Sequence, residues 1–295
     1  MLDYRLQTFL TLCETMNYTR AAEKLCVTQP AVTQHIRFLE RYYGCRLFSY
    51  QGKALELTAK GKQLREGAGS LSYNSERIRL LMLEQEPLTL RIGATKTIGE
   101  YLMAPVVENL LKEAENGNLS LLVDNTDELL QALDQGKLDF VLLEGFFDKQ
   151  KYGYRPYRKE AFVGVCAAGH PLAQRTVSLK ELFSQRLLIR EPGSGTRAIF
   201  ERYLQGENES LQSFATVTQI SDFSVMKRLL ERGMGIGFLY RLVVEKELKA
   251  GKLQLLKLEG PEMSGEFNFV YLKENLFMKD WEALIFRCFP GIDDI

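Results

Sequence analysis

The chain has 295 residues, 45% apolar and 26% charged, with 38 basic and 38 acidic side chains and a net charge of zero. That length exceeds one ordinary compact domain and suits two or three, with ample apolar material for their cores. The longest apolar runs, such as Phe162–Ala168, fall far short of the roughly 18 residues of a membrane helix, so no membrane partner is expected. No basic-then-apolar leader follows Met1, which points to a cytoplasmic protein. The five cysteines, Cys13, Cys26, Cys45, Cys166 and Cys288, form no CxxC pair. Such spacing fits neither a zinc ribbon nor a disulfide framework, and we read them as small thiols in a reducing cytoplasm.

The neutral total conceals an asymmetry. Residues 1–87 carry 12 basic against 9 acidic side chains, or +3, and the remainder carries −3. A basic N-terminus on an acidic body points toward nucleic acid. Short helical patterns fill residues 1–57. In the first pair, Thr19 is placed to cap a helix beginning at Arg20, and the small Ala21 and Ala22 permit close helix crossing. After the break Cys26-Val27-Thr28, a second helix is expected from Gln29, capped by Thr28, with Pro30 in its first turn and Gly44 as its left-handed stop. At 100° per residue, Val32, Ile36, Leu39 and Tyr43 form a narrow apolar stripe. Gln29, Pro30, Thr33, Gln34, Arg37 and Arg41 share another side, rich in the groups that read major-groove edges and phosphates. Two helices joined by a three-residue turn follow the helix-turn-helix plan. Residues 47–57 then read as a hairpin wing whose Lys53 is placed to meet the phosphate backbone or the minor groove.

Taken together, Phe9, Asn17 to Ala22, Leu25, Val27 to Thr33, Ile36, Leu39-Glu40, Gly44, Leu47-Phe48 and Leu57 to Gly61 resemble the LysR-type transcriptional regulator family. The resemblance implies an α/β chain with an N-terminal all-α winged helix-turn-helix in residues 1–57. It further implies a linker/dimerisation helix in 58–86 and an effector-binding domain in 88–295. That domain resembles a type II periplasmic binding protein of two α/β subdomains, I at about 88–160 and 265–295 and II at about 161–264. Candidate DNA contacts are Thr19, Arg20, Thr28, Gln29, Pro30, Thr33, Gln34, Arg37, Arg41 and Lys53. Tyr50 and Gln51 stand where the family often carries a wing arginine, which shifts phosphate anchoring onto Lys53 and Arg46.

Leu57, Leu64, Leu71 and Ile78 recur every seven residues, with Gly61, Ala68, Ser75 and Met82 as the second row. This reads as a seam for a homodimer; a long helix packed on its own domain is the alternative. The family commonly assembles further, into tetramers. Beyond Leu88 the texture changes to strands alternating with helices, as in open α/β sheets. Strand candidates are Leu88–Gly93, Leu119–Val123, Phe140–Leu143, Phe162–Ala167, Leu187–Ile189 and Phe267–Tyr271. Helices are expected at Ile98–Ala114, Glu128–Gln135, Arg197–Leu204 and Val225–Arg232, with Asp280–Phe289, containing Trp281, closing subdomain I. The chain is expected to cross between subdomains near Arg158–Ala161 and to return near Met263–Glu266.

Ligands of open α/β sheets sit beyond the carboxyl ends of strands and near helix N-termini. Two such turns stand out, Thr95-Lys96-Thr97 and the glycine-containing Pro192-Gly193-Ser194-Gly195-Thr196-Arg197. In the resembled family they face each other across the cleft. The resemblance therefore implies effector contacts at Thr95, Lys96, Thr97, Ser194, Gly195 and Thr196, with Glu144, Gln219 and Ser221 as further candidates. The Gly233–Gly237 run is read as structural. The expected effector is a small anion, and no cofactor is implied.

Neither turn matches GxxxxGK[ST], and HExxH, GxSxG and metal-spaced clusters are absent from the sequence, so no enzyme is expected. Expected partners are double-stranded promoter DNA, the effector and further copies of this chain, with RNA polymerase an open candidate. Two alternatives stand: a solute-receptor-type binding protein, and a constitutive DNA-binding repressor without effector.

Overall fold

The computed structural model describes residues 2–82, 90–113, 118–173 and 175–289. Helices α1 (Tyr4–Thr15), α2 (Tyr18–Lys24) and α3 (Gln29–Tyr43) precede a hairpin of β1 (Phe48–Gln51) and β2 (Ala54–Leu57). Asn17, not Thr19, caps α2: its Oδ1 accepts from the N–H groups of Thr19 and Arg20 at 2.9 and 3.1 Å. Thr19 lies inside the first turn, two residues past the cap position. Thr28 caps α3 and Gly44 ends it at φ 67°, where a side chain would be strained. Val32, Ile36 and Leu39 of α3 pack with Phe9, Leu12, Ala21 and Ala22 into a small core. Tyr43 leaves the stripe; it is exposed, its ring edge-on to Tyr42.

The long helix α4 (Ala59–Met82) bridges the two halves of the molecule. Ala68 joins the N-terminal core, and Tyr73 enters the core beside Leu129, Leu133 and Val141. Gly61 and Gly69 permit this fit: a Cβ would lie 2.1 Å from the Leu47 carbonyl oxygen and 1.9 Å from that of Asp134, respectively. The expected seam therefore divides. Gly61, Leu64 and Ala68 are engaged within the chain, whereas Leu71, Ile78 and Met82 are exposed. Arg77, outside both rows of the heptad, is 1% exposed and ion-paired to Asp139.

The C-terminal elements are β3 (Leu90–Thr95), α5 (Lys96–Tyr101), α6 (Met103–Glu113), β4 (Leu119–Asp124), α7 (Thr126–Asp134), β5 (Phe140–Glu144) and β6 (Tyr152–Ala167). There follow β7 (Thr176–Val177), α8 (Leu179–Leu182), β8 (Arg186–Ile189), α9 (Gly195–Gly206), β9 (Thr216–Gln219) and α10 (Phe223–Glu231). The chain continues through β10 (Ile236–Tyr240), α11 (Arg241–Lys249), β11 (Leu253–Leu258), β12 (Met263–Leu272) and α12 (Met278–Cys288). One continuous sheet runs β4-β3-β5-β12-β6-β10-β8-β9, with β11 beside β6 and β7 beside β11. The parallel strands β4, β3 and β5 occupy one wing of the sheet, and β10, β8 and β9 the other. β6 and β12 pair antiparallel from Tyr152 with Leu272 to Phe162 with Met263. Phe162 pairs with β12 on one edge and β10 on the other, and beyond it β6 lies between β10 and β11, so β6 and β12 carry the chain between wings there.

Both strands are longer than the sequence pattern indicates, because polar residues such as Arg155, Arg158 and Glu160 interrupt the apolar run of β6. The helix expected over Ile98–Ala114 is two helices, broken at Leu102. Gly235, at φ 159°, brings its backbone against Arg186, where a Cβ would fall 2.5 Å from the carbonyl oxygen, and its run leads into β10. The start of the Leu88 strand, the ends of the 58–86 and Ile98–Ala114 helices and the Trp281 side chain lie outside the described residues.

Candidate functional site

The polar side of α3 is open. Gln29, Pro30, Gln34, Arg37 and Arg41 are exposed and Thr33 half-buried, while Val32 and Ile36 are 0% and 2% exposed on the opposite side. Thr33 Oγ1 donates to the Gln29 carbonyl at 3.2 Å and accepts from Gln29 Nε2 at 3.0 Å, so the first two turns present one hydrogen-bonding platform. Thr19, Arg20 and Thr28 are exposed at the starts of α2 and α3. Lys53 is exposed at the tip of the hairpin, next to Gly52 at φ 62°. Arg46 is exposed and pairs with Glu40 at 3.0 Å. His35 does not join the reading face; its Nδ1 meets Thr8 Oγ1 at 3.0 Å and its ring packs edge-on against Tyr4. A helix presenting amides, hydroxyls and two guanidinium groups beside a cationic wing is suited to a DNA major groove.

The second candidate site lies where the two wings of the sheet meet. Thr95 ends β3, Thr97 lies in the first turn of α5, Glu144 ends β5, and Ser194 to Thr196 open α9. The structure brings these together around the Glu144 carboxyl, which is 2% exposed. Thr95 Oγ1 donates to Glu144 Oε2, Thr97 Oγ1 donates to Oε1 at 2.8 Å, and Thr196 Oγ1 reaches Oε1 at 3.5 Å. Thr97 and Thr196 hydroxyls are themselves 3.2 Å apart. Gly195 makes room: a Cβ there would fall 2.3 Å from the Glu144 carbonyl oxygen. Burial pushes the Glu144 carboxyl above the usual carboxylate range, against the opposing pull of the threonine hydroxyls, its backbone and the Arg190 charge. A proton is therefore held more tightly here than on a solvated glutamate.

Beside this cluster, Lys96 pairs with Glu191 at 3.3 Å. Arg190, 2% exposed, holds Glu191 through two contacts of 2.9 and 3.0 Å. Burial alone would raise Glu191, but Arg190 and Lys96 together hold it below its ordinary value. Arg197 turns back to Glu201 at 2.9 Å and to the Arg190 carbonyl at 3.3 Å. Gln219 and Ser221 are exposed. A cavity of about 110 Å³ opens beside Ser194 and Gly195, lined also by Thr126 and Asp127. Those two residues were missed at the sequence level, although they follow the carboxyl end of β4 as the strand-end rule for ligand sites requires. Among the described residues no cluster of metal-ligating side chains occurs, and no helix is long and apolar enough to cross a membrane.

Comparison with known proteins assigns both parts of the chain to one family. The family described as bacterial regulatory helix-turn-helix protein, lysR family, matches residues 4–62. The LysR substrate binding domain matches residues 84–285. The chain is similar to the HTH-type transcriptional regulator CysL of Bacillus subtilis, at 28% identity over 93% of each chain. Its fold is similar to a full-length OxyR variant of Pseudomonas aeruginosa, with a TM-score of 0.66, 22% identity and coverage of 98% and 94% of the two chains. The regulatory domain of CcmR from Synechocystis, solved in complex with 2-PG, is similar over 69% of this chain and 98% of its own, at a TM-score of 0.60 and 17% identity. The chain thus belongs to the LysR family, as a DNA-binding transcriptional regulator with an effector-binding domain rather than an enzyme.

Proposed function

We propose that the protein binds a palindromic promoter site as a homodimer or a tetramer, in the cytoplasm, and that a small oxyanion or carboxylate in the hydroxyl cluster modulates that binding. Residues 1–57 form the reading unit, 58–86 the dimer helix and 88–295 the effector domain with its two subdomains. The exposed row Leu71, Ile78 and Met82 supports self-association, because three large apolar side chains on one helix face need a cover.

One observation carries the effector reading: hydroxyls from both wings of the sheet converge on a carboxyl group, that of Glu144. A site that holds an internal carboxyl has the donors to hold an external one. Protonated Glu144 adds a donor rather than a repelling charge, and its raised proton affinity favours that state. An effector bridging Thr97 and Thr196 would bind one arrangement of the wings better than another and shift their population. The complex of the CcmR regulatory domain with 2-PG supports a small ligand in this domain.

The test is electrophoretic retardation of promoter fragments by the full chain, with and without sulfate, phosphate and small carboxylates. Salt-sensitive, sequence-selective retardation that an anion alters, and that Thr97→Val renders unresponsive, supports the reading. Retardation that no anion changes leaves a constitutive DNA-binding protein, and a response only to cationic amines assigns Glu144 the part of counter-ion.

A further inference from the structure

We propose that the effector-binding domain has a second small-molecule site, separate from the hydroxyl cluster, which takes an aromatic carboxylic acid bearing an O–H or N–H donor. The site is a groove of about 630 Å³ between the loop after β5, the outer side of α9 and the start of β12. Its volume falls in the range of ordinary ligand sites. None of Thr95, Thr97, Glu144 and Thr196 lines it; Gly145 does, with the adjacent Glu144 turned to the threonines.

Three features of the lining define the ligand. Phe146, Phe147, Tyr203 and Met263 supply an aromatic and apolar wall. Asn268, 1% exposed, lines the groove with a carboxamide whose Nδ2 donates to the Glu266 carbonyl at 3.3 Å. Its Oδ1 is buried and accepts no hydrogen bond among the described residues. A buried acceptor left unmet is costly, so a turn of this side chain that brings Oδ1 to a ligand donor in the groove gains what the protein leaves unsatisfied. Arg202 supplies the charge. Its guanidinium sits 4.4 Å over the Phe146 ring, and among the described residues no carboxylate lies within ion-pairing distance of it. Lys149, the other cation of the groove, is already met by Glu266 at 3.8 Å. Glu262 at the exposed rim opposes a second negative charge, so the fitting ligand is a monoanion.

The groove is built from both wings of the sheet and from a strand that runs between them. An occupant would tie the loop after β5 to α9 and so restrain their relative orientation, which is where effector information must travel.

Isothermal titration of the full chain with 4-hydroxybenzoate, anthranilate and indole-3-acetate, and with benzoate as the donor-free comparator, tests the proposal. We expect at least one donor-bearing acid to bind, with benzoate weaker by about tenfold. Arg202→Glu and Ser264→Trp, both at exposed positions, should each weaken binding by about tenfold or more with the melting temperature kept. Thr97→Val should leave it unchanged. The proposal is overturned if none of the three acids binds at millimolar concentration, if binding survives both groove variants, if benzoate binds equally, or if Thr97→Val abolishes binding and so assigns the ligand to the hydroxyl cluster.

Discussion

Arg77 Nε donates to Asp139 Oδ1 at 3.1 Å, joining the long helix α4 to the loop before β5 with both side chains out of solvent. Asp139 also accepts from Arg91, at 3.2 Å through its guanidinium and at 2.6 Å through its backbone N–H. Burial disfavours the Arg77 charge, but the aspartate outweighs that and raises its proton affinity. Removing one partner of a buried pair strands the other. Arg77→Met should therefore cost about 3 kcal/mol, the lower part of the range for such pairs because Arg91 still faces the aspartate. Denaturant unfolding checks it, and a loss below 1 kcal/mol would show the pair to be incidental.

Gly69→Ala sets two effects against each other. Alanine is the better helix former by about 1 kcal/mol. Its Cβ, however, would lie 1.9 Å from the Asp134 carbonyl oxygen, and a backbone atom cannot turn aside as a flexible side chain can. The clash should win, lowering stability by about 1–3 kcal/mol. The same change at Gly67, where nothing lies within 4 Å, should be neutral or stabilising. Melting temperatures of the two variants make the comparison.

Glu144 predicts a pH dependence of stability. Its carboxyl binds a proton more tightly folded than unfolded, so the folded state is favoured most below the unfolded value near 4.5. That contribution fades as pH rises through the raised folded value. Glu144→Gln should remove this dependence and gain stability relative to wild type as pH rises. Parallel unfolding series of the two proteins from pH 4 to 8 decide it; curves that stay parallel throughout would contradict a tightly held proton.

For the DNA face, Thr33→Ala and Arg37→Ala should each weaken operator binding by about 1–3 kcal/mol while leaving the melting temperature unchanged. Arg37 is fully accessible and Thr33 bonds only within its own turn. Lys53→Ala on the wing should instead reduce binding to all sequences alike and flatten the salt dependence. Titrations by fluorescence anisotropy at two salt concentrations separate these behaviours.

What could be read from the residues was local. Thr28, Pro30, Val32, Ile36 and Gly44 announce a helix, its cap and its buried side within one stretch of chain, and α3 has that form. Tyr43 follows the same periodicity, yet its side chain is exposed beside Tyr42. Asn17 and Thr19 are both acceptable caps, and only the backbone decides which residue precedes the first turn. Arg77 escaped because its partner is 62 positions away; periodicity describes the helix, not what another element offers it. Glu144 was legible as a strand-end residue facing the cleft. That its carboxyl gathers Thr95 and Thr97, 49 and 47 residues distant, depends on a sheet register that no single stretch encodes.

The attachment of α4 has a directional consequence. Asn74, Tyr73 and Arg77 grip residues 274–276 and Asp139; Arg65 and Glu66 face Asp134 and Lys151; and Lys137 reaches Glu14 in α1 at 3.3 Å. Every one of these anchors sits on the wing that carries β3, β4 and β5. These contacts tie reader, stalk and that wing together within one chain, and the portion bearing α9 and α10 meets them through Thr97 with Thr196, Lys96 with Glu191 and Tyr101 with Phe223. On the proposed function, an effector that resets α9 against that wing is felt by the double helix through the relative setting of two such assemblies.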